Sequence, residues 1–491
     1  MAARSCRRPG VVLCGILVVA ALLRVPMLGE QSFWFDETVT AQLVDQDLGG
    51  VLAQVEASES TPPLYYLLAW GWSNLLGTGE AALRSLSALL GTATVAVAWL
   101  LGWRLAGTGS HGTGQRAAAL AALLTATSPL LVWFSQEARA YALLAFLGAL
   151  SALLALRARE EPSVRRLAVW AVVGALALAT HYFAAFLIAA QAVWLLVALR
   201  ARRSVLVAVG GVTVAALAVA PLALAQRERD LADFIGDQPL STRAAQVPKQ
   251  FLVGYDAPAE LVGAVLALVL AGAGAVLLLA RGDGPQRRGA LLAAGAGAAA
   301  VLVPLVLALV GVDHFLTRNT LGALPVLLVA LGVAFAARDA PRAGLAVGCG
   351  LGALWTAIVI GVALEPRFQR EDWRGAAAAL GAPADRAVVV TPASGVVPLA
   401  YYRPALRPMP AGGTAVREVV VVGLPDDDSD GPPDPAAVAS PGPAFTEVGR
   451  TQTDAFTLVR FRAPSPQPVE PAALAGVSAR PGQASVLTGT G

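Results

Sequence analysis

The chain has 491 residues, 56% of them hydrophobic and 14% charged, with a mean hydropathy of +0.64. That balance excludes a soluble globular protein and describes a polytopic membrane protein. The formal charge is +3; it gives no support to nucleic-acid binding, and in such a chain the placement of charges along the loops matters more than their sum.

The first element is an apolar run from Val11 to Leu23, preceded by Arg4, Arg7 and Arg8. Its length and the spans that follow make it a retained helix with a cytoplasmic N-terminus rather than a cleaved signal. At its outer mouth stands Gln31-Ser32-Phe33-Trp34-Phe35-Asp36-Glu37-Thr38. The two adjacent carboxylates, flanked by aromatics suited to a membrane interface, have two readings. They are the catalytic end of a membrane enzyme, or they cap an interfacial helix.

Apolar runs long enough to cross ~30 Å of hydrocarbon fall at roughly 11–29, 83–106, 116–134, 140–157, 165–180, 183–199, 204–225, 259–280, 289–311, 320–338 and 342–363. With about eleven transmembrane helices, the loops holding Arg104 and Arg116, Arg157 to Arg166, Arg200 to Arg203, Arg281 to Arg288, and Arg338 with Arg342 all lie on the N-terminal, cytoplasmic side. The first outer loop is the reverse: between Gly29 and Leu83 there are eight acids and no Lys or Arg. Within it, Thr40 to Val55 and the Pro62-Pro63-led stretch to Leu76 are expected as helices lying in the interface. Counting the second as a span would invert every later loop. With this parity, Ser135 to Tyr141, Thr180-His181-Tyr182, the charged loop Gln226 to Glu260, and Asp313 to Asn319 share the outer face with Asp36.

After Leu364 the composition changes, and residues 365–462 read as a small extracytoplasmic α/β domain. Ala387 to Thr391, Val419 to Gly423 and Phe456 to Phe461 are expected as strands, and Pro398 to Tyr402 as a helix. Asp426-Asp427-Asp428 looks like a metal cluster, but its Pro/Gly/Asp-rich surroundings favour a solvated loop. Residues 463–491 form a Pro/Ser/Gly-rich tail expected to be disordered. Cys6, Cys14 and Cys349 share no metal-ligand spacing and imply neither disulfide nor metal.

Taken together, Asp36-Glu37 after the first helix, Pro62-Pro63-Leu64-Tyr65-Tyr66, Leu83-Arg84-Ser85-Leu86-Ser87-Ala88-Leu89, Ser135-Gln136-Glu137-Ala138-Arg139-Ala140-Tyr141 and His181-Tyr182 form an ordered set. The chain thereby resembles the GT-C membrane glycosyltransferases, in particular the bacterial family 39-like group related to protein O-mannosyltransferases and the aminoarabinose transferases of lipid A. The resemblance covers roughly residues 10 to 340; the C-terminal domain matches only through Asp372-Trp373-Arg374. It implies a transmembrane glycosyltransferase domain over residues 1–364. The implied reaction moves a mannose-like hexose or a pentose, with inversion, from a polyprenyl-phosphate donor to a lipid, protein or polysaccharide acceptor outside the cytoplasm.

The resemblance also implies roles. Asp36 is the candidate general base that takes the acceptor's proton, with Glu37 beside it orienting the loop or a cationic partner. The lipid-phosphate leaving group needs fixed donors, and arginine's planar fork suits phosphate oxygens. Arg139, Arg318 and Arg84 are the candidates, with His181 and Tyr182 as further donors. Arg139 has a second reading, as an ion pair with Glu137 or a side chain snorkelling to headgroups, and Arg318 shares the second. His181 is open among phosphate donor, metal ligand and plain interfacial residue. Glu137, Tyr65 and Tyr66 are candidate substrate-binding residues. Related transferases carry a Glu-Lys pair before the Pro-Pro-Leu-Tyr element, where it helps bind metal and phosphate; Ser60-Thr61 stands there in this chain. No cofactor is therefore assigned and a divalent metal is left open. The rival from another class is a membrane transporter or lipid flippase of cell-envelope glycoconjugates. It would use mid-span charges and internal repeats, whereas no repeat is visible and the polar residues sit at the outer ends of spans. A noncatalytic assembly subunit, with the C-terminal domain as its binding module, is the third reading.

Overall fold

The computed structural model describes residues 9–107, 111–229, 235–236, 238–382, 384–425, 434–477 and 484–489. Asp426, Asp427 and Asp428 lie outside the described residues. The chain divides into two units. One comprises Met1–Leu28 with Leu43–Val362, the other Gly29–Gln42 with Ala363–Gly491.

The first unit is helical. Each of the eleven apolar runs coincides with a helix: α1 (Pro9–Arg24), α5 (Glu80–Leu105), α6 (His111–Thr127), α8 (Tyr141–Glu160), α9 (Val164–Thr180), α10 (Ala184–Ala198), α11 (Arg203–Arg227), α13 (Glu260–Arg281), α14 (Gly284–Leu309), α15 (Leu324–Phe335) and α16 (Pro341–Leu364). By length and apolarity alone, seven helices among the described residues qualify as spans, or eight when a bent pair is counted as one. α1, α9 and α10 are shorter, at 16, 17 and 15 residues. Between α1 and α5 lie α2 (Phe35–Val44), α3 (Leu48–Ser58) and α4 (Leu64–Leu76). The single helix expected over Thr40 to Val55 is thus two, because Asp47 accepts the Gly50 N–H and starts a new helix. The charged loop 226–260 holds a further unexpected helix, α12 (Leu240–Val253).

Burial sorts these helices. The stretch Arg318–Phe335 is 78% buried and that of α8 72%, whereas the windows of α11 and α13 are 17% and 22% buried. The first pair is the heart of the bundle; the second leaves Val and Leu side chains outward, as helices facing lipid do. Close packing at the heart depends on small residues: a methyl group at Gly332 of α15 would lie 2.5 Å from the Ala121 backbone nitrogen of α6.

The span expected at 116–134 is broken. α6 and α7 (Pro129–Ser135) meet at 58°. Pro129 has no N–H to give the Thr125 carbonyl, so the turn opens there. Arg24, wholly buried, supplies the missing donors: its guanidinium reaches the carbonyls of Ala126 (2.8 Å) and Thr125 (3.2 Å) and the Ser135 hydroxyl (3.1 Å). An arginine at membrane depth is tolerated because its donors are taken up within the protein, two of them by carbonyls at the break.

The two ends of the bundle differ. At one end, Arg104 pairs with Glu160 at 2.6 Å, Arg166 with Glu161, and Arg338 with Asp283 at 3.6 Å. These are ends of α5, α8, α9, α14 and α15, and they carry arginine-rich loops. The opposite ends of α8 and α9 hold Arg139 and His181.

The second unit is built on a six-stranded sheet of order β2-β6-β1-β3-β5-β4. β1 (Arg386–Thr391) and β3 (Thr414–Gly423) run parallel, while β2 (Arg407–Pro408), β4 (Thr446–Gln452), β5 (Thr457–Val469) and β6 (Ser485–Gly489) pair antiparallel to their neighbours. Both faces of the centre are covered. Val388, Val390, Val420 and Val422 pack with Trp373, Ala376 and Leu399 of α17 (Trp373–Ala379) and α18 (Val396–Tyr402), and Ala387, Val389, Val419 and Val421 pack on the other face. That double burial is why the central strands read as unbroken valine runs.

The tail expected to be disordered from Ala463 is a correction. β5 continues through Val469 beside β3, α19 (Pro471–Ala475) follows, and β6 pairs with β1. Pro464 and Pro466 fall where the β3–β5 register shifts, in a stretch with no partner residue on β3, and all three prolines, Pro468 included, lie past the point where β4 stops pairing at Arg462. Proline there costs no ladder bond.

Candidate active site

In the first unit, the residues singled out from sequence gather around an acid that sequence reasoning passed over. Glu59 caps the C-terminus of α3, opening the loop to α4, and is 2% exposed. Arg139, in the turn between α7 and α8, grips it in bidentate fashion, Nη1 to Oε1 and Nη2 to Oε2, both at 2.8 Å. Tyr66 donates its phenol to Glu59 Oε2 at 2.6 Å and also meets the Thr61 hydroxyl at 3.1 Å. The Arg139 guanidinium lies 5.6 Å from the centre of the Tyr66 ring. Burial, with the Glu59 carboxylate beside it, holds the Tyr66 phenol well above its ordinary value despite Arg139, so it remains a donor.

The ion-pair reading of Arg139 named Glu137 as its partner; the bidentate grip described above is on Glu59, which that reading did not include. The acid standing three residues before Pro62 was the available signal. It occupies a place next to that of the Glu-Lys pair of related transferases, offset by the intervening Ser60-Thr61. Glu137 itself is buried, and its backbone carbonyl accepts the Arg139 N–H at 2.9 Å.

A second ring of contacts backs the first. Gln226, at the end of α11, donates to the carbonyls of Val55 and Thr61 and accepts the Tyr182 phenol at 2.8 Å. Tyr182 is thus engaged in bracing the Glu59 loop. Tyr65 meets the Ser87 hydroxyl of α5 at 3.3 Å and packs edge-on to Tyr66. Arg84, also on α5 and 1% exposed, donates to the Leu28 carbonyl at 3.1 Å.

His181 is 3% exposed, with its ring 5.9 Å from that of Tyr141. Its Nδ1 accepts the Phe183 N–H at 3.2 Å, which puts the proton of the neutral ring on Nε2, and no hydrogen bond among the described residues completes that atom. Burial above all, then the positive charges of Arg318 and Arg139, push its pKa down from 6.5 to about 3, against a smaller opposing effect of the Asn319 side chain. Arg318 and Arg139 therefore both set their charge on this imidazole. The unfolded chain binds a proton at His181 near its ordinary value, the folded protein only far below it. Stability is complete above pH 6.5 and drains away as the pH falls towards about 3. Thermal unfolding of detergent-solubilised protein should show that slope, and His181→Phe should flatten it; equal slopes in the two proteins would assign the acid sensitivity to another group.

Asp36 and Glu37 belong to the second unit. They form the first turn of α2, where carboxylates favour a helix N-terminus. Glu37 is fully buried, and the Asp36 carbonyl accepts the Thr40 hydroxyl at 3.1 Å. Among the described residues no group of three or more His, Cys, Asp and Glu side chains forms a metal cluster.

Comparison with known proteins bears on the fold. Over 92% of this chain and 97% of the other, the structure is similar to that of ArnT from Cupriavidus metallidurans bound to undecaprenyl phosphate, with a TM-score of 0.52 at 14% identity. The chain has the GT-C glycosyltransferase fold. Looser likenesses are to arabinosyltransferase EmbB from Mycobacterium smegmatis (14% identity, 90% of this chain and 46% of that one, TM-score 0.41) and to the S. cerevisiae protein O-mannosyltransferase Pmt1-Pmt2 complex bound to the sugar donor (18%, 45% and 33%, TM-score 0.34). In sequence, residues 60–224 match the family described as dolichyl-phosphate-mannose-protein mannosyltransferase. No curated protein matches the chain. The matched segment of this GT-C chain contains Tyr65, Tyr66, Arg84, Arg139 and His181.

Proposed function

We propose that the chain transfers a sugar, a mannose-like hexose or a pentose, from a polyprenyl-phosphate donor to an acceptor outside the cytoplasm. Asp36 is the general base; Arg139 and Arg318 with His181 bind the donor phosphate, and Arg84 assists. The observation that carries this reading is the buried polar cluster of Glu59, Tyr66, Arg139 and His181. It sits at the end of the bundle away from the arginine-rich loops, and all of it except Glu59, one residue upstream, falls inside the segment that matches the mannosyltransferase family. A neutral imidazole N–H flanked by two guanidinium charges is suited to phosphate oxygens. Inversion follows when one carboxylate deprotonates the acceptor as it attacks the face opposite the leaving phosphate.

The reading requires a cytoplasmic N-terminus and an external C-terminal unit, since lipid-linked sugars would meet Asp36 on that side. Two measurements check it. Purified protein in nanodiscs, given a panel of radiolabelled polyprenyl-phosphate sugars, should label an acceptor from one of them. In intact cells, a cysteine replacing exposed Ser440, with the native cysteines removed, should react with an impermeant maleimide. Labelling only after permeabilisation would overturn the topology. Donor movement across liposomes without transfer would install the flippase instead.

A further inference from the structure

Asp372-Trp373-Arg374 takes no part in the chemistry above, yet it lies against the stretch that carries Asp36. Residue by residue, that stretch is bonded to the C-terminal part of its own unit. Arg374 donates to the carbonyls of Gly29 (3.2 Å) and Glu30 (2.6 Å). The Arg370 N–H and guanidinium reach Gln31 Oε1 at 3.3 and 3.4 Å. The Ser32 hydroxyl donates to the Glu371 carbonyl at 2.7 Å and accepts the Trp373 N–H at 3.0 Å. The Phe33 N–H donates to the Tyr402 phenol at 2.7 Å, and the Phe33 ring, fully buried, meets Tyr401 edge-on at 5.9 Å.

Five consecutive residues, Gly29 to Phe33, thus hold contacts to 370–374 or 401–402, and Phe35 begins α2 two residues later. The stretch has no regular helix or strand of its own, and these partners satisfy backbone groups at Gly29, Glu30 and Phe33. Asp372 keeps the other side of the clasp in place by capping α17 through the Gly375 N–H at 2.8 Å.

We propose that the C-terminal α/β unit works as a positioning clamp for the Asp36 helix rather than as a separate acceptor-binding module, with Arg374, Ser32 and Tyr402 as its positioning residues. The proposal rests on reading Asp36 as the base. A base must stand within hydrogen-bond reach of the proton it takes, and a misplacement of about 1 Å costs up to ~10²-fold in rate. The C-terminal unit therefore serves to fix the segment between the first helix and α2.

The test uses full-length protein carrying Arg374→Ala or Tyr402→Phe, the second keeping the ring and removing only the acceptor of the Phe33 N–H. With the active polyprenyl-phosphate sugar as probe, kcat should fall about tenfold while donor KM stays unchanged. Amide hydrogen exchange across Phe33 to Val44 should rise. Placed in an Asp36→Asn background, the same substitutions should cause no further loss, because the residue they act through has lost its function. Losses that multiply in that background, or exchange that stays as in the wild type, overturn the clamp. Full activity of Asp36→Asn alone would instead remove the base, and the exchange measurement would still decide whether the clamp exists.

Discussion

Asp36→Asn is expected to lower sugar transfer by ~10²–10⁴-fold in a protein that still folds and inserts. Asparagine keeps the size and much of the hydrogen bonding of aspartate and loses only the ability to accept a proton. The alternative role makes the opposite forecast. Asp36 stands in the first turn of α2, where a carboxylate's charge is worth only about 0.3–1 kcal/mol, so a purely structural Asp36 would tolerate the change. Glu37→Gln should be milder in turnover, but Glu37 is fully buried and its variant calls for a stability measurement alongside. The assay is transfer by purified protein in nanodiscs, with monodispersity checked for each variant. Near-wild-type transfer by Asp36→Asn would dismiss it as the base and turn attention to Glu37 and Glu137.

The helical architecture was legible because lipid imposes one rule on every span: apolar length without interruption, with arginine left on one side. Where the reading failed, a local side-chain contact outweighed composition. Pro129 broke a span that hydropathy shows as continuous, and the repair came from Arg24, distant in sequence. Asp47 divided one expected helix into two. The tail was misread because Pro464, Pro466 and Pro468 look like a linker, and only the strand's register shows that two of them fall at an irregularity and all three lie beyond the end of β4. In the site, Arg139 and His181 were legible as polar residues at the outer ends of apolar runs, and Tyr66 through the Pro-Pro-Leu-Tyr-Tyr element. Glu59 and Gln226 were not. Glu59 is one of eight acids in its loop; its place three residues before Pro62 is the sole sequence cue that sets it apart, and its partners come only from three-dimensional contact. The attachment of Gly29 to Gln42 to the C-terminal unit joins residues more than three hundred positions apart, which no local pattern can signal.

Removing one member of the Glu59–Arg139 pair should cost about 3–5 kcal/mol of stability, because the partner is left as a charge inside the protein. The side chains are only 2% and 6% exposed, so water cannot take over. Glu59→Gln and Arg139→Met are the two single variants, and the double variant removes both charges together. If the pair is held by mutual compensation, the double variant should be more stable than either single one, recovering more than half of the loss, as measured by thermal unfolding in detergent. This recovery makes the catalytic question answerable. A folded double variant still lacks the guanidinium, so if Arg139 also binds the donor phosphate, kcat/KM for the donor should remain about ten- to a hundredfold down, the worth of a charge-assisted contact. A bidentate grip on a carboxylate does not exhaust a guanidinium, which carries five N–H donors. The pair would then serve to aim the remaining donors. A stable double variant with wild-type donor kinetics would assign Arg139 to bracing the Glu59 loop and leave the phosphate to Arg318 and His181.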